Sequence, residues 1–382
     1  MKTISAAELK EKAKQLRKTA VTMIYEAQSG HPGGSLSIAD IVADLYFREM
    51  NVDPKNPRWE DRDRFVLSKG HVCPIQYSAL GILGFFPEED LHTLRKEGSK
   101  LQGHPSMNKC PGIDISTGSL GQGLSCAVGM ALAGKRAGLA TCGKIPFVVT
   151  YAVFGSLRMC EQIRQEICYP KLNVKIACSH GGVTPANDGA SHQCIEDMGV
   201  LRTLPNMTII MPADYWSARR LVEAAAEFDG PVYLRFTRDA IPVIYDENAT
   251  FEIGKANKLK EGKDIAIIAN GDTVRLAIEA AEKLEAEGIH ARVLDMHTIK
   301  PLDVDAVKAC INDIGKIITV EDHNIINGLG GAVCEVVAEA GKGKVKRVGI
   351  QDQFGQSAPY ERLLAINGIT VENIVELAKG EW

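Results

Sequence analysis

The chain has 382 residues, of which 45% are hydrophobic and 24% charged, a balance typical of globular proteins with two or three domains. Its formal net charge of −4, with basic residues dispersed along the chain, argues against a nucleic-acid-binding surface. We expect a cytoplasmic protein that does not enter a membrane, because no apolar run approaches spanning length and the first residues lack the apolar core of a signal peptide.

The N-terminal part of the chain alternates helices with turns rich in glycine and histidine. Apolar residues at helical spacing predict helices over 6–28 and 38–50, with His31 in the turn Ser-Gly-His-Pro-Gly-Gly-Ser between them. A short apolar strand over 65–67 then carries Ser-Lys-Gly-His at its carboxyl end. Ligands of open α/β sheets gather at the carboxyl ends of strands, so we expect His71, in that segment, to lie at a binding site.

A glycine-rich turn, Ser-Thr-Gly-Ser-Leu-Gly-Gln-Gly-Leu at 116–124, opens a helix of small residues over 125–138. Such a turn leaves backbone N–H groups available at the positive end of the helix dipole, and the small side chains let a ligand or a neighbouring subunit approach closely. The pattern is typical of a cofactor-binding segment, and it is also typical of close packing without a ligand.

The C-terminal part alternates strands and helices as βαβ units do, which predicts an α/β fold. We predict a linking strand and turn at 251–257, strands at 264–271, 291–296 and 316–321, and helices at 274–287 and 304–310. The turn Gly-Leu-Gly-Gly at 328–331 precedes a helix at Ala332. It is either an anion site at a helix N-terminus or, as we favour, a point of close packing between helix and sheet.

The motifs of the N-terminal part resemble, in order and wording, the diphosphate-binding domain of transketolases, the thiamine-diphosphate-dependent ketol transferases. The matching segments are Ser-Gly-His-Pro-Gly-Gly-Ser (29–35), Asp-Arg-Asp-Arg-Phe-Val-Leu-Ser-Lys-Gly-His (61–71), Gly-His-Pro (103–105) and the part of the glycine-rich turn at 118–124. From about Leu139 the sequence resembles the pyrimidine-binding domain of the same family, with Asn-Asp-Gly-Ala-Ser-His-Gln at 187–193, and from Asp264 it resembles the C-terminal domain.

The order of these matches indicates an internally truncated member of that family. The second half of the first domain and the first half of the second are absent, and the junction falls at Gly138-Leu139, at the end of a helix that both domains have. We therefore predict one hybrid domain over 1–250, made of a diphosphate-binding part (1–138) and a pyrimidine-binding part (139–250). A transketolase C-terminal-like domain follows over 258–382.

The resemblance implies an α/β protein with one thiamine-diphosphate-binding-type parallel-sheet domain and one transketolase C-terminal-type domain. It implies thiamine diphosphate with Mg²⁺ or Ca²⁺ as cofactors, and two-carbon ketol transfer between sugar phosphates, as in the pentose phosphate pathway. Since the family's site lies between two subunits, the resemblance also implies a homodimer, or assembly with a partner transketolase subunit.

The same resemblance assigns roles to individual residues. Histidines at the diphosphate and the substrate would act in catalysis: His31, His71, His104 and His192. Backbone groups and aromatic rings would bind the cofactor: Gly118, Ser119, Leu120, Tyr151 and Phe154. The positions that match contacts to the sugar or its phosphate are His180, Asp188 and Arg238. Tyr151 and Phe154 have an alternative role as ordinary core residues.

Two elements of the family are missing from this sequence. Phe-Gly-Ser at 154–156 stands where the family has the Gly-Asp-Gly turn that holds the divalent ion, and His180 stands near the place of its asparagine, so we assign no metal ligand. Gly121 stands where the family has the glutamate that pairs with the aminopyrimidine ring. Lost acid–base assistance typically costs about 10²–10⁴-fold in rate, so we expect ketol transfer to be weak or absent.

Two alternatives to a weak transketolase remain. The chain is a non-catalytic protein of transketolase fold that dimerises or binds a partner, or it uses the histidine cluster for a different reaction without thiamine.

Overall fold

The computed structural model describes residues 4–136 and 145–382. The chain forms two compact units: Met1–Ser179 with Asp229–Pro231, and His180–Phe228 with Val232–Trp382. The junction that the sequence analysis places at Gly138-Leu139 lies outside the described residues, and the domain boundaries at 250 and 258 stay a prediction.

The first unit combines short parallel strands with helices. Its helices are α1 (Ala6–Ala27), α2 (Pro32–Leu36), α3 (Ala39–Asp44), α4 (Cys73–Leu83), α5 (Gly123–Arg136) and α6 (Cys160–Gln162). Its strands are β1 (Phe65–Leu67), β2 (Phe147–Tyr151) and β3 (Lys175–Ser179). β2 pairs in parallel with both β1 and β3, so the carboxyl ends of the three strands lie at one edge.

Helix α1 shows how local sequence sets an element. Ser5 and Glu8 form a capping box, in which each side chain binds the other residue's backbone N–H. The buried residues of the helix recur every three or four positions and form one apolar face: Leu9, Ala13, Leu16, Ala20 and Met23. The predicted helix over 6–28 is thus confirmed to within one residue at its end.

The predicted helix over 38–50 forms in two parts. α3 covers Ala39–Asp44, and Leu45–Glu49 continues as a wider π-helical turn in which the Met50 N–H donates to the Leu45 carbonyl at 2.7 Å. Further π-helical turns cover Phe154–Arg158 and Ile163–Cys168. The helical spacing of the sequence did not predict these wider turns.

The second unit contains a five-stranded sheet. The strands of the whole unit are β4 (Thr208–Ile210), β5 (Val232–Arg235), β6 (Asn257–Lys260), β7 (Ile265–Ala269), β8 (Ala291–Asp295), β9 (Thr298–Lys300), β10 (Lys316–Asn324) and β11 (Lys344–Ile350). The five-stranded sheet has the order β11-β10-β7-β8-β6, with β6 antiparallel at one edge. β4 pairs in parallel with β5 and antiparallel with β9.

The second unit also contains helices, some of which cover both faces of this sheet. They are α7 (Asp197–Arg202), α8 (Tyr215–Glu227), α9 (Val274–Ala286), α10 (Val304–Asp313), α11 (Leu329–Ala340), α12 (Tyr360–Ile366) and α13 (Val371–Lys379). Alternate residues of β7 enter two separate apolar clusters, with Ile265 and Ile267 in one and Ala266 and Ile268 in the other. A parallel strand buried on both faces accounts for this continuous apolar run.

Most elements predicted for the C-terminal part are confirmed. The predicted strands at 264–271, 291–296 and 316–321 are β7, β8 and β10, and the two predicted helices are α9 and α10. Of the linking strand and turn predicted at 251–257, the turn forms at 253–254, but the strand begins only at Asn257, as β6. Of the helices in the described ranges, none has the length and apolar character that crossing a membrane requires.

Candidate functional site

In the first unit, two of the predicted histidines lie beside the carboxyl end of β2. The rings of His31 and His71 are 4.6 Å apart between centroids at 67°, and Nε2 of His71 lies 3.2 Å from the Tyr151 hydroxyl. A Cβ at Gly34 would lie 2.7 Å from the same hydroxyl, so the turn after His31 needs glycine for this approach. Partial burial lowers the pKa of His31, and the charges of Arg95 and His104 lower it further.

The glycine-rich turn predicted at 116–124 packs on the turn that follows β1. Thr117 Oγ1 donates to the Leu67 carbonyl at 2.6 Å, and the Gly121 N–H donates to the Ser68 carbonyl at 3.3 Å. A Cβ at Gly70 would lie 2.6 Å from the Thr117 carbonyl oxygen, which explains the glycine in Ser-Lys-Gly-His. This packing places the predicted His71 segment against the predicted cofactor turn.

The remaining residues of the turn have distinct surroundings. A Cβ at Gly118 would lie 3.4 Å from the ring of His104, so the third predicted histidine borders the turn. Ser119 is exposed, and the Leu120 carbonyl accepts a hydrogen bond from Arg158 at 3.1 Å. The structure thus brings His104 and residues 118–120 together, while their contact with a cofactor stays a prediction.

Tyr151 and Phe154 stack at 6.2 Å between centroids with an interplanar angle of 24°. Each ring also has a cation close to it: Lys69 Nζ lies 4.8 Å from the Tyr151 centroid, and the Arg158 guanidinium lies 4.6 Å from that of Phe154. Tyr151 is buried and Phe154 half-buried. Both interpretations of this pair, as cofactor pocket or as core, remain open.

Lys69 is a residue that the sequence analysis missed as part of this cluster. Its side chain is fully buried, and Nζ donates to three neutral oxygens, namely Gly34 O (3.3 Å), Ser37 Oγ (3.3 Å) and Ser179 Oγ (2.7 Å). Burial lowers the pKa of Lys69 to about 7. The sequence signal that could have identified Lys69 was its position in the turn directly after the fully apolar strand β1.

The segment predicted to stand in place of the family's metal-binding turn, Phe-Gly-Ser at 154–156, does not fit a divalent cation. The Ser156 hydroxyl donates to the Ala152 carbonyl at 2.7 Å, and a Cβ at Gly155 would lie 2.4 Å from the Cys178 sulfur. Hard cations bound to phosphates need oxygen ligands, and neither side chain supplies a carboxylate. Among residues 4–136 and 145–382, no group of three or more His, Cys, Asp or Glu side chains is placed to hold a metal.

In the second unit, one turn carries a predicted substrate-binding residue and a predicted catalytic residue. Asp188 and His192 lie on the turn 185–193, which Arg238 joins by donating Nη1 to the Pro185 carbonyl (2.6 Å) and to Asp188 (3.2 Å). The other N–H groups of Arg238 have no protein partner within the described chain. His192 Nδ1 lies 3.0 Å from Ser191 Oγ. An arginine with free donors beside hydroxyl-binding groups can accept the anionic end of a small molecule.

His180 differs from these three. Its side chain is only 1% exposed, and its backbone has a φ of +67°, a conformation that non-glycine residues rarely adopt. The Gly181 N–H that follows donates to the Phe236 carbonyl at 3.1 Å. The predicted contact of His180 with a substrate stays a prediction. Of the four residues, the structure places Asp188 and His192 on one turn, with Arg238 hydrogen-bonded to that turn.

The turn at 328–331 already has an anion. The N–H groups of Leu329 and Gly330 donate to the Glu321 carboxylate at 2.7 and 2.8 Å. Glu321 is fully buried, and this burial raises its pKa to about 7, although the two N–H donors favour the ionised form. The chain's own carboxylate therefore occupies the N-terminus of α11.

Three family models match the chain. Residues 9–170 match the transketolase thiamine diphosphate binding domain, 127–243 the transketolase pyrimidine binding domain, and 254–374 the transketolase C-terminal domain.

Individual proteins match as well. A protein of Methanocaldococcus jannaschii described as a transketolase C-terminal section is 46% identical over 246 residues, which is 64% of this chain and 77% of the relative. One subunit of an apulose-4-phosphate transketolase from Phocaeicola vulgatus is 41% identical over 247 residues, 64% of this chain and 78% of the relative. A solved split-gene transketolase, described as an inactive β4 tetramer, is 44% identical with a TM-score of 0.62, over 69% of this chain and 83% of that one.

Proposed function

Because the chain belongs to the transketolase family, we propose that it is a transketolase-type protein that binds a sugar phosphate. We further propose that two-carbon ketol transfer by the chain alone is weak or absent.

The arrangement of Asp188 and His192 on one turn, with Arg238 hydrogen-bonded to that turn, carries the first part of this proposal. Arg238 has N–H donors without a protein partner among the described residues, and the Asp188 carboxylate is exposed. A guanidinium recognises a phosphate by parallel hydrogen bonds, and a carboxylate accepts hydrogen bonds from sugar hydroxyls. Together, the guanidinium and the carboxylate favour a ligand with a hydroxylated chain and an anionic end.

The second part rests on the residues at the place of the family's cofactor site. Ser156 and Gly155 offer no carboxylate for a cation on a diphosphate, and Gly121 offers no acid for the aminopyrimidine ring. The family models for the first and second domains both match residues 127–170, which supports the proposal that two related domains are joined by an internal truncation. The residues at this place therefore do not fit thiamine diphosphate with a divalent cation.

The chain's own residues still form a cluster of titratable groups in the first unit. His71 contacts both the His31 ring and the Tyr151 hydroxyl, and the lowered pKa of His31 favours its neutral form, which both donates and accepts a hydrogen bond. Such a group can bind a hydroxyl and hold or pass its proton.

A second candidate function is a module that binds a complementary transketolase subunit. The relatives favour this function, since one is described as a transketolase C-terminal section and another as one subunit of a transketolase. In this function, a partner supplies the metal ligands and the glutamate that the present chain lacks.

Calorimetric titration of the purified chain tests both parts. We expect D-fructose 6-phosphate to bind and D-fructose to bind far more weakly, with no dependence on Mg²⁺ or Ca²⁺. We expect thiamine diphosphate to bind weakly or not at all, with or without either metal, and hydroxypyruvate-dependent ketol transfer to stay at background.

The outcomes separate the parts of the proposal. If D-fructose 6-phosphate and D-fructose both bind negligibly, the proposed sugar-phosphate function is wrong. Micromolar, metal-dependent binding of thiamine diphosphate with ketol transfer overturns the proposed loss of turnover. Ketol transfer that appears only on adding the N-terminal subunit of a split transketolase favours the partner-binding module.

A further inference from the structure

The buried side chain of Gln193 connects two loops of the second unit. Its Nε2 donates to the Ala186 carbonyl at 3.2 Å and to the Gln356 carbonyl at 2.9 Å, so both amide hydrogens are used. Gln193 is 4% exposed, although it directly follows His192. The two carbonyl acceptors fix the orientation of the amide, because its oxygen would be repelled by them. Gln193 thus joins the turn 185–193 to the loop 353–357.

Glycines allow the two loops to approach closely. A Cβ at Gly355 would lie 1.7 Å from the Gln193 Oε1 atom, far closer than any real contact. A Cβ at Gly189, within the turn, would lie 2.7 Å from the Ser357 hydroxyl. Two glycines on opposite loops, each facing a polar side chain of the other loop, indicate a close, built contact.

The loop 353–357 is itself attached to the body of the unit. Gln353 Nε2 donates to the Asn367 side chain at 3.1 Å, and Asn367 in turn donates to the Leu363 carbonyl of α12 at 2.8 Å. The amide of Gln193 therefore binds the turn to a loop that α12 supports, and the exposed residues of the turn extend from this attachment.

We propose that Gln193 is a positioning residue for substrate binding. It holds the turn that carries Asp188 and His192 in the arrangement that receives the sugar phosphate, by tying that turn to the loop 353–357. This inference rests on the proposed sugar-phosphate function of the turn. Gln193 acts through its neighbours and does not itself touch the ligand, because its amide hydrogens are fully used within the protein.

Two variants disturb the contact from opposite sides. Gln193→Met has nearly the same shape but loses both hydrogen bonds, and Gly355→Ala introduces a methyl group at the position of the Gln193 amide oxygen. Gln351→Met is the matched control, since it removes a glutamine amide just before the same loop, whose partner is the Gly349 carbonyl and not the turn. The double variant Gln193→Ala with Gly355→Ala removes the clash, because alanine leaves space for the added methyl group.

The measurements are the dissociation constant for D-fructose 6-phosphate and the NMR chemical shifts of the His192 ring protons at one fixed pH. We expect Gln193→Met and Gly355→Ala to weaken binding about 5–30-fold and to change these chemical shifts, since loss of two hydrogen bonds frees the turn. Gln351→Met keeps both near the wild-type values. The double variant binds no more weakly than Gln193→Ala alone, because residues in direct contact act non-additively.

Several results would overturn this inference. If the wild type binds D-fructose 6-phosphate and Gln193→Met binds it equally well, the positioning role is wrong while the proposed function stands. If Gln351→Met weakens binding as much as Gln193→Met, the effect comes from general stability and the positioning role is wrong. If the wild type itself does not bind the sugar phosphate, the proposed function fails and the inference fails with it.

Discussion

The Nζ atom of Lys69 lies 2.7 Å from the Oγ atom of Ser179, inside the first unit. The other two partners of Nζ are also neutral oxygens, and the side chain is fully buried. Three hydrogen bonds satisfy an ammonium group geometrically, but they do not replace the hydration that it loses. Burial therefore lowers the pKa of Lys69 to about 7, and the native state favours its neutral amine.

We expect Lys69→Met to change how stability depends on pH. The unfolded chain binds a proton at Lys69 up to about pH 10 and the native chain only to about pH 7, so the free energy of unfolding of the wild type rises with pH across this window. The rise, on the order of 2–4 kcal/mol, is absent in Lys69→Met. Urea unfolding of both proteins from pH 7 to 10 measures it.

Lys14→Met serves as the control for Lys69, because the Lys14 side chain is 76% exposed. It should follow the wild type at every pH. Parallel pH curves for wild type and Lys69→Met would contradict the prediction.

We expect two neighbouring glycines at the start of α11 to respond oppositely to alanine. A Cβ at Gly328 would lie 2.1 Å from the Glu321 carboxylate, which binds the first N–H groups of the helix, so Gly328→Ala should lower the free energy of unfolding by about 1–3 kcal/mol. At Gly331 the added Cβ meets nothing within 4 Å, and Gly331→Ala should be neutral or stabilising by up to about 1 kcal/mol. Thermal unfolding checks both, and equal effects would argue against the carboxylate cap.

Sequence reasoning predicted the regular elements well where the pattern is local. The apolar spacing of α1 and the buried strand β7 need only neighbouring residues, and both were predicted. The turn at 328–331 shows the limit: its pattern fits an anion site or close packing, and Glu321, the residue that settles it, lies on the preceding strand. No spacing rule indicates that a carboxylate of the chain itself fills a helix N-terminus.

The candidate sites divide in the same way, into residues of local motifs, which were predicted, and residues whose partners are distant in sequence, which were missed. The resemblance identified His31 and His71, and the structure places their rings in contact. Lys69 was missed because its partner Ser179 is 110 residues away in sequence. Gln193 was missed for the same reason, since its amide binds the Gln356 carbonyl 163 residues further along the chain.

A second pH-dependent effect should come from Asp322, whose carboxylate accepts hydrogen bonds from the Val183 N–H at 3.0 and 3.1 Å. Burial and the nearby Asp272 raise the pKa of Asp322 to about 8. The native chain then keeps a proton that the unfolded chain releases near pH 4, so the free energy of unfolding falls as pH rises towards 8.

Asp322→Asn should remove much of this fall, roughly 2–5 kcal/mol, because asparagine is neutral at every pH and keeps one oxygen for the Val183 N–H. Guanidinium unfolding between about pH 5 and pH 8 measures the difference. Asp305→Asn is the control, since the Asp305 side chain is 87% exposed. An unchanged pH slope in Asp322→Asn would show that Asp322 does not carry the proton.

Arg238 should decide whether the turn 185–193 recognises the phosphate end of a sugar. Arg238→Ala removes the unpartnered guanidinium donors and leaves the Asp188 charge uncompensated, so the affinity for D-fructose 6-phosphate should fall about 10–100-fold. Affinity for D-fructose, which has no phosphate, should change little, and the ratio of the two affinities should approach one.

Arg238→Lys separates charge from shape at the same position. Lysine keeps the positive charge but loses the planar pair of donors, so its affinity for D-fructose 6-phosphate should lie between the wild type and Arg238→Ala. Arg220→Ala removes an arginine of α8 whose side chain is 36% exposed, and it should bind as the wild type does. Calorimetry on the four proteins with both sugars measures these differences. If Arg238→Ala weakens the binding of both sugars equally, Arg238 stabilises the turn through the Pro185 carbonyl and does not select the phosphate.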